Sequence, residues 1–230
     1  GHYARMEGDP PTLSRAVDHL KDQSYVLAEV SPQYLRRCRF PLGTLCKPEV
    51  RALVADASVG GHEVPDSQEI CFVEDDDHRR FLRSRLGERP GTIVDGEGRR
   101  LRAHAGTYNF TIGQRKGIGI AAAEPLYVVN LDAQTHEVVV GPVTDLEVHG
   151  FDVGALTWHR EAPAGEVTVQ VRSNGLPFAA ALLGQEQGGG GLQGVDHITV
   201  RPLAPVRAVA PGQTAVVYDG EQVVVAGTIE

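Results

Sequence analysis

Residues 64–77, VPDSQEICFVEDDD, hold one cysteine, Cys71, between a polar turn and an acidic cluster. A thiolate is a strong nucleophile and can carry sulfur, and the setting offers it some help. Cys71 lies on a stretch that feeds the N-terminal end of an expected helix, where backbone dipoles lower a thiol's pKa. The aspartates at 75–77 act in the opposite direction. Set between Ile70 and Phe72, the side chain also suits a small core position, as cysteines often do. On local residues both roles stay open.

Two other stretches have chemistry to offer. TIGQRKGIGI (111–120) places Arg115 and Lys116 in a G-x-x-x-G-x-G spacing that is neither a dinucleotide fingerprint nor a phosphate loop of the Walker type. Its exposed amides and two cations could hold phosphate; a β-bulge or tight turn is the alternative. KDQSY (21–25) puts Lys21, Asp22 and Gln23 at the expected start of a helix, which is either a phosphate seat or an ordinary capped terminus. The chain has no C-x-x-C, and its nine histidines lack zinc-ligand spacing, so no structural metal is expected.

The elements that must position these residues fall into two regimes. Up to about residue 60 the pattern is helical. Leu20, Ser24, Leu27 and Val30 recur at helical spacing, and Pro32 interrupts them. In residues 40–57 Pro48 suits a first turn, and Val50, Leu53, Val54 and Ala57 line one face. Residues 58–71 read as a loop, and 75–87 as a short helix with aspartates first, arginines later and Gly87 as its stop. From residue 90 onward the signals are those of strands. Asp95-Gly96 marks a hairpin, and strands are expected over 125–132, 136–141, 151–159, 166–173, 177–183, 195–202 and 214–230. The tract at 185–191 reads as a mobile hairpin loop. The fold expected is mainly β with α: a helical remnant of an α/β nucleotide-binding domain (1–70), a β-rich central domain (71–150) and a C-terminal β-barrel (151–230).

Composition narrows the function. The 230 residues carry a net charge of −8 with 41% hydrophobic residues, and no apolar run approaches a membrane span. Three cysteines make no disulfide framework, so a cytoplasmic address is the simplest. Residues 1–100 hold 15 of the 22 Lys and Arg, in clusters such as RRCR (36–39) and RRFLRSR (79–85). The opening GHYAR, without an initiator methionine, reads like the middle of a gene product.

Taken in order, GHYAR, KDQSYVL, FPLGTLCKPEVR, DSQEICFV, PGTIVDGEG, HAGTYNFTIGQRKGIGI, PLYVVNLD, PGQTAVVYDGE and AGTIE resemble the tRNA-specific 2-thiouridylases over essentially the whole chain. The resemblance implies a tRNA-uridine 2-sulfurtransferase acting on the wobble uridine with ATP, Mg2+ and a sulfur-relay donor protein. It makes Cys71 the persulfide carrier, paired in the family with a second cysteine in a disulfide. It places Gly1 near the ATP site and His2, Lys21, Asp22, Gln23, Arg172, Ser173 and Gln213 on tRNA. The family's S-G-G-x-D-S loop and its second cysteine are absent from these residues, which implies an inactive fragment. Val64 stands where a lysine is common, and Ser173 where a tyrosine is usual. A non-enzymatic RNA-binding barrel is the competing reading; it explains the barrel but gives DSQEICFV no task.

Overall fold

The computed structural model describes residues 2–57, 73, 77–184, 192 and 195–230. In chain order the elements begin with a hairpin of β1 (Arg5–Glu7) and β2 (Thr12–Ser14) and the short helices α1 (Ser24–Leu27) and α2 (Pro32–Leu35). Helices α3 (Lys47–Asp56) and α4 (His78–Leu86) follow, then β3 (Gly91–Asp95), β4 (Arg100–His104), β5 (Tyr127–Asp132), β6 (Glu137–Gly141) and β7 (Glu147–Val148). The remainder is β8 (Phe151–Trp158), β9 (Glu166–Gln170), β10 (Phe178–Leu183), β11 (Ile198–Pro202), β12 (Val206–Arg207), β13 (Thr214–Asp219) and β14 (Gln222–Ile229). The molecule is mainly β with few helices, as the sequence predicts.

Local signals account for several boundaries. Pro48 sits in the first turn of α3, where its missing N–H costs nothing, and the Glu49 carboxylate reaches back to the Cys46 amide at 2.6 Å. The Asp77 carboxylate caps α4 by accepting from Arg80 N at 2.9 Å. In the β3–β4 turn, Asp95 Oδ1 accepts from the amides of Glu97 and Arg99 at 3.0 and 2.9 Å.

The chain forms two compact units. The first comprises residues 1–64, 149–205 and 210–230; the second comprises 65–148 and 206–209. In the first unit six antiparallel strands run β8-β11-β10-β9-β13-β14, and the pairing of β14 with β8 closes them into a barrel without edges. The β1–β2 hairpin adds to this sheet through Ser14, opposite Gln222 of β14. Val216, Tyr218, Val223 and Ala226 turn outward and pack against Ala4, Leu13, Ala28 and Leu35 of the preceding segment. By alternation Ala215 and Val217, also buried, lie on the inner face of the barrel. Strands covered on both sides must be apolar throughout, which explains the runs AVVY and VVVA. Residues 1–64 share a compact unit with the barrel.

Two helical expectations need correction. Helix α1 spans only four residues, and its buried positions are Ser24 and the adjacent Ala28, while Leu20 is 93% exposed. Ser24 goes inward because Asp22 and Tyr218 satisfy its hydroxyl. The apolar stripe of α3 is not buried: Leu53 is 57% exposed and no α3 residue is in the core. The sequence reading also missed the β1–β2 hairpin altogether.

In the second unit the order is β4-β3-β6-β5, with β3 and β6 parallel and the outer pairs antiparallel. Ile93, Ile118, Val128, Val138 and Val140 form its core. The pair β7–β12 belongs to the same unit. Among the described residues no helix is long and apolar enough to cross a membrane, and no group of His, Cys, Asp or Glu is placed to hold a metal.

Candidate functional site

Seven of the candidate residues, His2, Lys21, Asp22, Gln23, Arg172, Ser173 and Gln213, fall in the first unit. Cys71 and Gly1 lie outside the described residues, as do the loop expected before Cys71 and the tract 185–191.

Asp22 is the structural centre of the N-terminal group. Its Oδ1 accepts from the amides of Ala16 at 2.8 Å and Ser24 at 3.1 Å. Its Oδ2 accepts from the Ser24 hydroxyl at 2.6 Å and pairs with Arg15 Nη1 at 3.4 Å. The Asp22 side chain is 5% exposed and that of Arg15 11%. The Arg15 guanidinium lies 3.6 Å from the centroid of the Tyr218 ring, a cation–π contact made in a largely desolvated place. Burial, its largest cause, pushes the Tyr218 phenol up to about 12. That phenol shares a hydrogen bond with the Ser24 hydroxyl at 3.1 Å.

Gln23 ties this group to the start of the chain. Its Oε1 accepts from the Tyr3 amide at 3.0 Å, and its own amide donates to the Tyr3 carbonyl at 2.8 Å. His2, adjacent to that clamp, is exposed. Lys21 is half-buried.

Arg172 and Ser173 sit on the turn after β9. The buried Gln170 side chain holds that turn, its Nε2 donating to the carbonyls of Arg172 and Ser173 at 2.9 Å each. Tyr25, two residues after Gln23, donates its hydroxyl to the Thr214 carbonyl at 2.8 Å, next to Gln213. Burial raises the Tyr25 pKa and Glu29 adds to it, while the Thr214 hydrogen bond and the charge of Arg172 work against them. Arg172, Tyr25, Glu29 and the Gln213–Thr214 step are therefore neighbours. Helix α1 connects them to Gln23 and Asp22. Gln213 Oε1 is buried without a hydrogen-bond partner among the described residues.

The sequence reading missed the residues that support these candidates: Arg15, Tyr25, Gln170 and Tyr218. Gln170 was the readable one, a lone amide at the end of a strand with valines at 167 and 169; it lies opposite outward-facing Val216. Arg15 and Tyr218 meet across more than 200 residues of chain, and no local pattern joins them. Lys21 and Gln23, just before α1, and Arg172, Ser173 and Gln213, on the barrel, give this single compact unit its candidate polar residues.

Comparison with known proteins agrees with this architecture. Residues 1–75 match the family described as tRNA methyl transferase HUP domain, residues 79–142 the tRNA methyl transferase PRC-barrel domain, and residues 148–229 the aminomethyltransferase beta-barrel domain. A partial HUP domain, a PRC-barrel domain and a C-terminal β-barrel in that order define the class of protein. The whole chain aligns at 43% identity with a tRNA-specific 2-thiouridylase MnmA of Mycolicibacterium paratuberculosis, covering 64% of that protein. It aligns over its full length at 43% with the protein of that name from Acidothermus cellulolyticus, covering 63%. It is 45% identical to a bifunctional protein NifU/MnmA of Rubrobacter xylanophilus, of which it covers 45%. The chain belongs to the tRNA-specific 2-thiouridylase family. It spans about 64% of the length of the first of these relatives.

Proposed function

We propose that the protein carrying this chain is a tRNA-uridine 2-sulfurtransferase that thiolates the wobble uridine of tRNA in the cytoplasm. The observation that carries the reading is the alignment of the whole chain, at 43% identity, with relatives named tRNA-specific 2-thiouridylases. The polar surface of the first unit adds physical support. His2, Lys21, Gln23, Arg172, Ser173 and Gln213 would contact RNA, with Asp22 and Gln170 holding the backbone that presents them.

Cys71 is the sulfur carrier in this reading. A sulfur-relay donor protein charges it as a persulfide. With a leaving group on the C2 oxygen of uridine, the terminal persulfide sulfur forms the new C–S bond and the oxygen departs. A second thiolate then attacks Cys71 Sγ; the persulfide S–S bond breaks, sulfur stays on the base, and the two cysteines are left as a disulfide for a thiol reductant to open. ATP and Mg2+ do not fit the residues present. Gly1 is the one residue of this chain that resemblance assigns near ATP, and S-G-G-x-D-S occurs nowhere in the 230 residues. On that ground the 230-residue chain alone is inactive.

The test is Cys71→Ser in the complete protein, with 2-thiouridine measured by mass spectrometry of digested tRNA. Thiolation is expected to vanish while tRNA binding persists. Retained thiolation would remove Cys71 from the chemistry.

A further inference from the structure

The segment 111–120 is more rigidly built than a glycine-rich sequence suggests. Ile118 is buried in the core of the second unit, and Ile120 packs against it. Gly113 N donates to the Val128 carbonyl at 2.8 Å, and Val128 N returns a bond to the Gln114 carbonyl at 2.9 Å. The Gln114 side chain closes the turn from within: Oε1 accepts from Thr111 N at 3.1 Å and Nε2 donates to the Lys116 carbonyl at 2.8 Å. Arg115 and Lys116 are exposed on a tip fixed at both ends.

Two arginines from other elements close on the same tip. Arg102 of β4 donates to the Gly119 carbonyl at 2.6 Å, and a β-carbon at Gly119 would lie 1.7 Å from its Nη1. Arg79 of α4 places its Nη2 3.8 Å from where a β-carbon of Gly117 would be. Gly117 and Gly119 have φ of +79° and +76°, so glycine serves both the conformation and the close approach. Of these cations Arg115 alone lines the adjoining cleft of about 350 Å3, whose other walls are residues 117–120 and 122–126, Glu124 among them. Arg79, Arg115 and Lys116 make no side-chain hydrogen bond or ion pair among the described residues. Charges on an exposed helix or an edge strand are commonly there for solubility, and that explains Arg83 and Arg100. It does not explain cations from three elements gathered at one glycine turn, because like charges brought together raise the energy until an anion joins them.

We propose that the cation-flanked glycine turn at this cleft binds a phosphate of an RNA backbone, a second RNA contact besides the surface of the first unit. The proposal rests on the tRNA reading above. Three of the four cations are arginines, whose planar fork matches two phosphate oxygens at once. At Gly117, where the nearest atom to a β-carbon position is 3.6 Å away, a phosphate can approach the backbone amide. An acidic protein segment would find the same charge but would not need the glycine turn.

The experiment measures tRNA binding by fluorescence anisotropy with the complete protein over a salt series from about 50 to 200 mM. The variants are Arg115→Ala/Lys116→Ala, Arg79→Ala and the charge-preserving Arg115→Lys. The double variant is expected to bind about tenfold more weakly, with a salt slope shallower by about one for each phosphate no longer neutralised. Arg115→Lys should keep the slope, which separates charge loss from misfolding. Variants that match the wild type in affinity and slope, while the wild type binds and thiolates tRNA, overturn the cleft alone. A wild type that binds no tRNA overturns the tRNA reading and the cleft with it. Unchanged tRNA binding beside weakened binding of poly-L-glutamate would give the cleft to an acidic protein and overturn the proposal.

Discussion

Asp22→Ala would remove from the first unit an acceptor of four hydrogen bonds, those from Ala16 N, Ser24 N, Ser24 Oγ and Arg15 Nη1. The Arg15 guanidinium would then rest against the Tyr218 ring with no carboxylate, and its Nη2 already has no partner among the described residues. Both side chains are nearly out of solvent, so water recovers little of the loss. Breaking one side of a buried ion pair costs about 3–5 kcal/mol, and each buried donor left unpaired about 1–3 kcal/mol. Because the loop can relax and the Tyr218 stack remains, a total of about 3–5 kcal/mol is expected. Trp158, the only tryptophan of the chain, lies in β8 of the same unit and reports its unfolding by fluorescence. In urea the midpoint should fall by on the order of 1.5 M. Tyr218→Phe, which deletes only the bond to Ser24, should cost about 1 kcal/mol. A loss below about 1 kcal/mol for Asp22→Ala would refute the reasoning, since a carboxylate holding this packing together could not be removed so cheaply.

Lys21→Ala and Arg172→Ala should weaken tRNA binding and lower its salt slope by about one each. His159 is buried between β8 and the Ala28 carbonyl, which lies 2.6 Å from its Nε2, and burial, outweighing that bond, holds its pKa below the usual 6.5. The unfolded chain therefore binds a proton that the folded one refuses; stability is full above pH 6.5 and falls as the pH drops below it. His159→Phe should flatten that acid limb in Trp158 fluorescence; an unchanged limb would assign it elsewhere. At Gly43 a β-carbon would lie 1.8 Å from the Ala4 carbonyl oxygen, so Gly43→Ala must push back the N-terminal segment and should cost about 1–3 kcal/mol by thermal melting.

Local chemistry marked most elements correctly. Strand signals from residue 90 onward announced the longer strands of both units, Asp95-Gly96 the β3–β4 turn, Pro48 the start of α3, and the aspartates before His78 the start of α4. These signals need no partner farther than a few residues away. The β1–β2 hairpin could not be read this way: its strands are three residues long, and pairing with β14 gives them their place. The buried face of α1 was misread for a related reason. Helical spacing put Leu20 on one stripe with Ser24, but only Ser24 goes inward, because its hydroxyl donates to Asp22 and is met by a tyrosine 194 residues away.

The candidate site divides along the same line. The order of short motifs was enough to identify the family and to single out Cys71, because each motif is contiguous and requires no knowledge of contacts. What the tertiary structure decided is which side chains support the others. Asp22 holds Arg15 against Tyr218, Gln170 holds the Arg172–Ser173 turn, and Tyr25 brings Gln213 beside Arg172. It also carried Arg79 and Arg102 to the glycine turn at 115–119, where the sequence had shown two cations. Hydrogen bonds and charge pairs act over a few ångströms, and only folding brings distant residues within that range.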